Sequence, residues 1–214
     1  AITSLERARK ATEDGTFAKE IVPVTVKSRK GETVVEIDEQ PGNAIPEKIP
    51  NLRPAFAKNG TVTAANSSSI SDGAAALILM RQSEAEKRGL KPLAVILAHT
   101  THAQEPEWFT TAPIGAIKKV LDKTGWDKDD VDFYEINEAF AVVTMAAMQD
   151  LGISHDKVNV HGGACSLGHP VGASGARIIV TLLNALEKYD KTKGVASLCI
   201  GGGEGTAIAI ERVN

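Results

Sequence analysis

The sequence predicts an α/β fold, a mixed sheet with helices packed on both of its faces. Runs rich in β-formers at residues 93–98, 131–136, 195–200 and 206–213 alternate with helical spacings at residues 112–124, 138–151 and 174–189. The last two β runs are joined only through Gly201-Gly202-Gly203-Glu204-Gly205, so a hairpin closes the sheet and makes it mixed. A chain of 214 residues with 43% hydrophobic content can bury a core, in one domain or two.

Taken in order, residues 4–19 read as a polar helix rich in Glu, Arg, Lys and Ala that ends near Gly15. Residues 21–26 and 33–37 are two β-rich runs around Lys30-Gly31, a hairpin. Residues 38–54 carry Pro41, Pro46, Pro50 and Pro54 without periodicity and predict a surface loop. Residues 60–72 are small and polar. The apolar run at residues 73–80 then predicts a buried strand, followed by a charged helix over residues 83–88. In the helix at residues 112–124 the apolar positions are Ile114, Ile117, Val120 and Leu121. The helix at residues 174–189 is entered from a glycine-rich loop.

Charge is nearly balanced, with 24 basic and 27 acidic residues, which points away from nucleic acid and from anionic membranes. The densest basic run, Lys27-Ser28-Arg29-Lys30, reads as a solvated loop beside a strand, with contact to coenzyme phosphates as the other reading. No apolar run is long enough to span a bilayer, and no signal peptide is visible. Cys165 and Cys199 do not make a disulfide framework, so a reducing compartment is expected. The cytoplasm is the first choice, with the mitochondrial matrix and the peroxisome left open. The start at Ala1, with helical spacing almost at once, suggests a processed or excised piece.

Three short motifs carry groups able to do chemistry. Asn137, in Asn137-Glu138-Ala139-Phe140, falls between a strand and a helix, where capping alone would explain an asparagine. His161, Cys165 and His169 have the spacing of metal ligands on a helix, but Gly162, Gly163, Gly168 and Pro170 make a helix there improbable, so no metal site is assigned. Cys199 ends an apolar strand, where packing as a small hydrophobe is the default. The glycines behind it are unusual for mere packing, since such a turn exposes N–H donors and admits close approach. They do not make a dinucleotide fingerprint, because a strand follows them rather than a helix. A Cys165–Cys199 disulfide is a weaker alternative. Ser68 lies in a serine cluster, Asn66-Ser67-Ser68-Ser69-Ile70-Ser71, which alone would be a loop.

In order and spacing, Asn137-Glu138-Ala139-Phe140, the loop from His161 to Pro170 and Cys199-Ile200-Gly201-Gly202-Gly203 resemble the C-terminal half of a thiolase. Gly172-Ala173-Ser174-Gly175-Ala176-Arg177 is similar to the short-chain biosynthetic branch. The resemblance implies that His169 deprotonates an acylating cysteine and donates to the thioester oxygen, for which an imidazole is suited. It implies that Cys199 removes the α-proton of the second acyl-CoA, with the Gly201 N–H helping to hold the enolate oxygen. Asn137 would hold a water that donates to a thioester oxygen. Phe140 would line the acyl or pantetheine pocket, and Ser68 would bond the pantetheine arm. His161 would be structural. The chain departs from the family pattern in three places. It carries no arginine near Gly42, it has Leu5 where mitochondrial short-chain relatives have a potassium-site tyrosine, and it has no thiolase nucleophile cysteine.

The resemblance therefore implies a thiolase fold. Residues 1–70 would be part of a loop domain, residues 71–91 a strand and helix of the N-terminal domain, and residues 92–214 a β-α-β-α-β-α-β-β C-terminal domain. The implied reaction joins two acetyl-CoA into acetoacetyl-CoA and CoA, or reverses it, with the CoA thioester as substrate and no cofactor or metal. The implied partners are an N-terminal thiolase segment with the nucleophile cysteine and further copies of the enzyme, in a dimer or tetramer. A non-catalytic acyl-CoA or lipid binder of this fold, a 3-ketoacyl-CoA thiolase of broader chain length and an inert cleavage fragment are the alternatives.

Overall fold

A computed structural model describes residues 1–213. Helix α1 (Ile2–Glu13) begins sooner than expected and stops before Gly15, whose φ of 75° leaves the helical region; residues 16–19 form a separate single turn. Strands β1 (Val24–Ser28) and β2 (Gly31–Val35) pair antiparallel with Ser28 opposite Gly31, so Arg29 and Lys30 make the turn. Both strands are exposed along their whole length. The proline-rich stretch is less irregular than expected. It holds a short helix, α2 (Gln40–Asn43), and a 3-10 turn over Pro46–Asn51, each with proline in its first positions, where a missing N–H is tolerated.

Residues 73–80 overturn the expected buried strand. No strand forms there, and Ile78 and Leu79 are 88% and 71% exposed. Among the described residues no other segment pairs with this run, and without a partner its N–H and C=O groups cannot join a ladder. The charged helix that follows it, α3 (Gln82–Lys87), is present.

The remaining elements are β3 (Ala94–Ala103), α4 (Ala112–Thr124), β4 (Phe133–Ile136), α5 (Ala141–Leu151), α6 (Ala164–Leu167), α7 (Ser174–Lys188), β5 (Lys193–Ile200) and β6 (Glu204–Arg212). The strand order of the larger sheet is β3-β6-β5-β4; within it β4 and β5 run parallel and the other pairs antiparallel, and residues 201–203 close the β5–β6 hairpin. Alternation along the strands sorts two cores. Tyr134, Ile136, Val195, Ala207 and Ala209 meet Ile117, Val120 and Val143 of α4 and α5. Phe133, Ala196 and Ile210 meet Ile178, Leu182 and Leu186 of α7. Helices cover both faces of this mixed sheet, as expected.

The β-α-β-α-β-α-β-β order is met with one strand reduced. Its third strand is a single parallel bridge, Tyr134 with Val158, because Asn159 turns out of extended geometry at φ 49°. The Asn159 side chain continues the ladder in its place. Its Oδ1 accepts from the Ile136 N–H at 2.8 Å, and its Nδ2 donates to the Ile136 carbonyl at 2.8 Å.

Candidate active site

Because β4 and β5 run parallel, their carboxyl ends lie at one edge of the sheet, the usual place for a ligand in an open α/β sheet. Asn137 follows β4 there, and its N–H donates to the Ser197 carbonyl of β5 at 2.9 Å. Asn137 is not the N-cap of α5. That position belongs to Phe140, with extended φ −136° and ψ 150°, because the chain first turns at Glu138, where the Ala139 N–H donates to the Asn137 carbonyl at 3.0 Å, and Phe140 bridges to Ser67 before the helix begins. Capping therefore leaves the Asn137 side chain free for another task.

That side chain meets His169. Asn137 Nδ2 lies 3.5 Å from His169 Nε2, while Asn137 Oδ1 is buried without a partner among the described residues. On its far side, His169 Nδ1 is 2.6 Å from Ser174 Oγ, whose hydroxyl hydrogen goes to the Pro170 carbonyl at 3.1 Å. A hydroxyl that donates its one hydrogen to a carbonyl must accept from Nδ1–H. With the Ser174 hydrogen on the Pro170 carbonyl, the imidazole is the Nδ1–H tautomer and its Nε2 lone pair is turned toward the Asn137 amide. Burial lowers the His169 pKa from the ordinary histidine value, and the Arg177 guanidinium adds to this, so the ring is a neutral base near pH 7.

The histidine loop is held from two sides. The His169 N–H donates to the Ser69 carbonyl at 3.0 Å. Gly168, at φ 83°, lies so close to Ser71 and Gln40 that a side chain would collide with both. Deeper in, the buried Glu138 carboxylate accepts from Ser4 Oγ at 2.8 Å, the Cys165 N–H at 3.0 Å and Asn159 Nδ2 at 3.1 Å. It thereby ties α1, the histidine loop and the Asn137 turn together, and Gly163 leaves room for it. This role of Glu138 is missed by the sequence reading, since its partners are remote along the chain.

Cys199 stands in β5, partly buried against the core on the α4–α5 side, and burial raises its thiol pKa. A thiolate formed there is a stronger base than an exposed one. Gly201 is exposed, with no heavy atom within 4 Å of the place a Cβ would occupy, so a substrate could reach its backbone. Ser68 gives both its N–H and its hydroxyl hydrogen to the Ala139 carbonyl, each at 3.0 Å, so its oxygen is left only to accept. Phe140 packs edge-on against Phe56 and Phe109, with centroids 6.5 and 6.4 Å away, an aromatic trio of which the sequence reading names one member.

The His161, Cys165 and His169 spacing does not assemble one site. Cys165 lies against the Glu138 carbonyl, its thiol pushed up to about 12 by burial and then by the Glu138 charge. His161 is buried between Phe17 and Tyr189 with neither ring nitrogen bonded among the described residues, and burial, with Lys188 adding, lowers its pKa to about 4. The unfolded chain would protonate it near pH 6.5. Its stabilising share is therefore full above that pH and is lost as pH falls toward about 4, a ceiling of roughly 3 kcal/mol. His161→Phe is expected to flatten this acid limb; denaturant melts at pH 7 and 4.5 that keep the wild-type difference would disprove the assignment.

Residues 90–212 match the family model described as thiolase, C-terminal domain, and residues 1–83 match thiolase, N-terminal domain. The acetyl-CoA acetyltransferase of Paracoccus denitrificans is 51% identical over 213 residues, covering 99% of this chain and 54% of that protein. The crystal structure of the Bacillus anthracis acetyl-CoA acetyltransferase superposes with TM-score 0.95 at 44% identity, over 99% of this chain and 54% of that one. Human mitochondrial 3-ketoacyl-CoA thiolase superposes with TM-score 0.89 at 34% identity, over 99% and 54%. The chain spans about half the length of the curated relatives it matches.

Proposed function

Since this chain belongs to the thiolase family, we propose that it forms the later part of an acetyl-CoA acetyltransferase. The reaction would join two acetyl-CoA into acetoacetyl-CoA and CoA, or run thiolysis in reverse. The observation that carries this reading is the Asn137–His169–Ser174 chain of contacts at the carboxyl edge of β4 and β5, the edge that also bears Cys199. In this reading residues 1–70 belong to a loop domain, residues 71–91 to the N-terminal domain and residues 92–214 form the C-terminal domain.

His169 Nε2 takes the proton of a nucleophilic cysteine, which attacks the first thioester and releases CoA. Cys199, as thiolate, takes a proton from the methyl group of the second acetyl-CoA. The resulting enolate, its oxygen facing the Gly201 N–H and a donor held by Asn137, attacks the acyl-enzyme and frees the first cysteine. The Ser68 oxygen accepts from an amide N–H of the pantetheine arm, and Phe140 lines the acyl pocket.

The nucleophile would come from a polypeptide segment other than these 214 residues. Cys165 is a poor candidate, because its thiol is held protonated at neutral pH, and Cys199 is the base. The working enzyme would also be a homo-oligomer. The test is thiolysis of acetoacetyl-CoA. The purified chain is expected to turn over at background, and co-expression with an N-terminal thiolase segment bearing the cysteine to restore activity. Turnover by the chain alone near the rate of intact enzymes would overturn the division of labour. Similarity to human 3-ketoacyl-CoA thiolase favours one second reading, a broader chain length, and 3-ketoacyl-CoA substrates of increasing length separate the two.

A further inference from the structure

Behind His169 lie three charged side chains that the chemistry above does not use. Glu135 is 2% exposed, two residues before Asn137 on β4 and on the face turned to α7. Arg177, on α7 one turn after Ser174, points a guanidinium nitrogen at Glu135 from 3.8 Å and donates to Thr181 Oγ1 at 3.4 Å. Thr181 in turn donates to Glu20 Oε1 at 3.3 Å, and the other Glu20 oxygen is buried without a partner among the described residues.

Glu135 is fully buried and Arg177 and Glu20 are partly so; taking a charge out of water costs several kcal/mol before any attraction is counted, so stability alone is a weak reason for the cluster. Their placement offers another. Ser174, Arg177 and Thr181 share one face of α7, at helical spacings of three and four. Ser174 crosses to His169 at the end of that face, and Arg177 crosses to β4 one turn later. One crossing joins the helix to the histidine loop and the other joins it to β4, and at the strand end loop and strand meet in the 3.5 Å contact between Asn137 and His169.

We propose that Arg177, braced between Glu135 and Glu20, is a positioning residue that locks α7 onto β4 and so presents His169 Nε2 to Asn137. Its charge has a second consequence. Arg177, one helical turn from the Ser174 that meets the ring, is the charge that acts on His169; the groups in contact with the ring, Asn137, Ser174 and the backbone of residues 69–70, are neutral. It adds to burial in keeping the imidazole unprotonated. The carboxyls that face it are themselves raised, both by burial first, with Arg177 opposing in each case. Glu135 also feels Glu20 and Glu138, which raise it, and Arg7, which lowers it. With both carboxyls raised, one of the two stays protonated near neutral pH, which leaves the cluster neutral and the brace intact.

The role of Arg177 depends on the thiolase reading only for its effect on turnover, so the experiment has two arms. In the first, the imidazole of His169 is titrated by NMR in the protein carrying isotope-labelled histidine, and its signal is assigned by its loss in His169→Asn. Arg177→Met is expected to raise the His169 pKa by roughly half a unit or more and to weaken the preference for the Nδ1–H tautomer. Arg177→Lys, which keeps the charge, should bring the pKa back to within about 0.2 unit while leaving the tautomer less fixed, since one ammonium cannot copy the planar fork. If Arg177→Met does not fold, Arg177→Gln serves the same comparison. An unchanged pKa and tautomer in either folded neutral variant would overturn the proposal. So would equal shifts in the lysine and neutral variants, or loss of the fold in both neutral variants with lysine restoring fold alone. In the second arm, the complete enzyme carrying Arg177→Met should show the acid limb of kcat/KM moved to higher pH, with KM for acyl-CoA changed less than about twofold. A raised KM with an unmoved limb would count against it. Absence of thiolase activity in every form would sink the functional reading and leave the titration to judge Arg177.

Discussion

Replacing Cys199 with alanine in the complete enzyme is expected to abolish exchange of the acetyl-CoA methyl protons with solvent while sparing formation of the acyl-enzyme. The two half-reactions differ in one demand. Acylation needs a nucleophile and a base for its proton, whereas condensation also needs a base for a carbon acid. Cys199 stands at the strand end beside the glycine turn, its thiol pKa raised by burial. Alanine keeps the partly buried volume nearly filled but removes the proton acceptor. A positioned base contributes about 10²–10⁴ in rate, so condensation and methyl exchange should fall by at least that range. Exchange measured by deuterium uptake at the wild-type rate would move the base elsewhere and take most of the proposed chemistry with it.

His169→Ala should impair both halves. The imidazole is set up by contacts on its two sides, Ser174 at Nδ1 and the Asn137 amide at Nε2, and the alanine variant leaves both without their partner. Acylation is expected to slow by about 10²–10⁴, read as the burst of CoA release on mixing with acetyl-CoA, and condensation by a similar factor. The pH dependence adds a sign. The ring acts as a base when neutral and its pKa is lowered, so wild-type activity should fall as pH drops below the ordinary histidine value, and the variant should lose that limb. A variant that acylates normally but cannot condense would place His169 in the second step alone.

The readable part of this fold was the part whose causes are local. Helix α4 occupies the residues its apolar spacing predicts, because Pro113 suits its first turn and Gly125 ends it at φ 68°. The hairpin of β5 and β6 follows from a glycine turn between two β runs. Where the cause is remote, the reading failed. Residues 73–80 are apolar enough for a buried strand, but a strand also needs a neighbour, and apolar composition says nothing of that. Asn137 was placed at a helix cap because the contacts that hold Ala139 and Phe140 out of the helix come from Ser68 and Ser67, about 70 residues earlier in the chain. Glu138 draws its hydrogen bonds from Ser4, Asn159 and Cys165, so the group that joins three parts of the site leaves no trace in the local pattern. Motif resemblance pointed to His169 and Asn137, which lie 3.5 Å apart, and to Cys199, and it could do so because it is indifferent to distance along the chain.

The Asn159 side chain that stands in for a missing strand also sets a clock. Most buried amides of a sheet exchange with solvent only when the sheet itself comes apart. The Ile136 N–H is different, since its acceptor is one side-chain oxygen rather than a backbone carbonyl of a neighbouring strand. A rotation of that side chain, with the sheet intact, would bare the amide. Asn159 also holds Glu138, which in turn holds the Cys165 N–H of the histidine loop, so the exchange lifetime of this single backbone proton is expected to follow how often that support lets go.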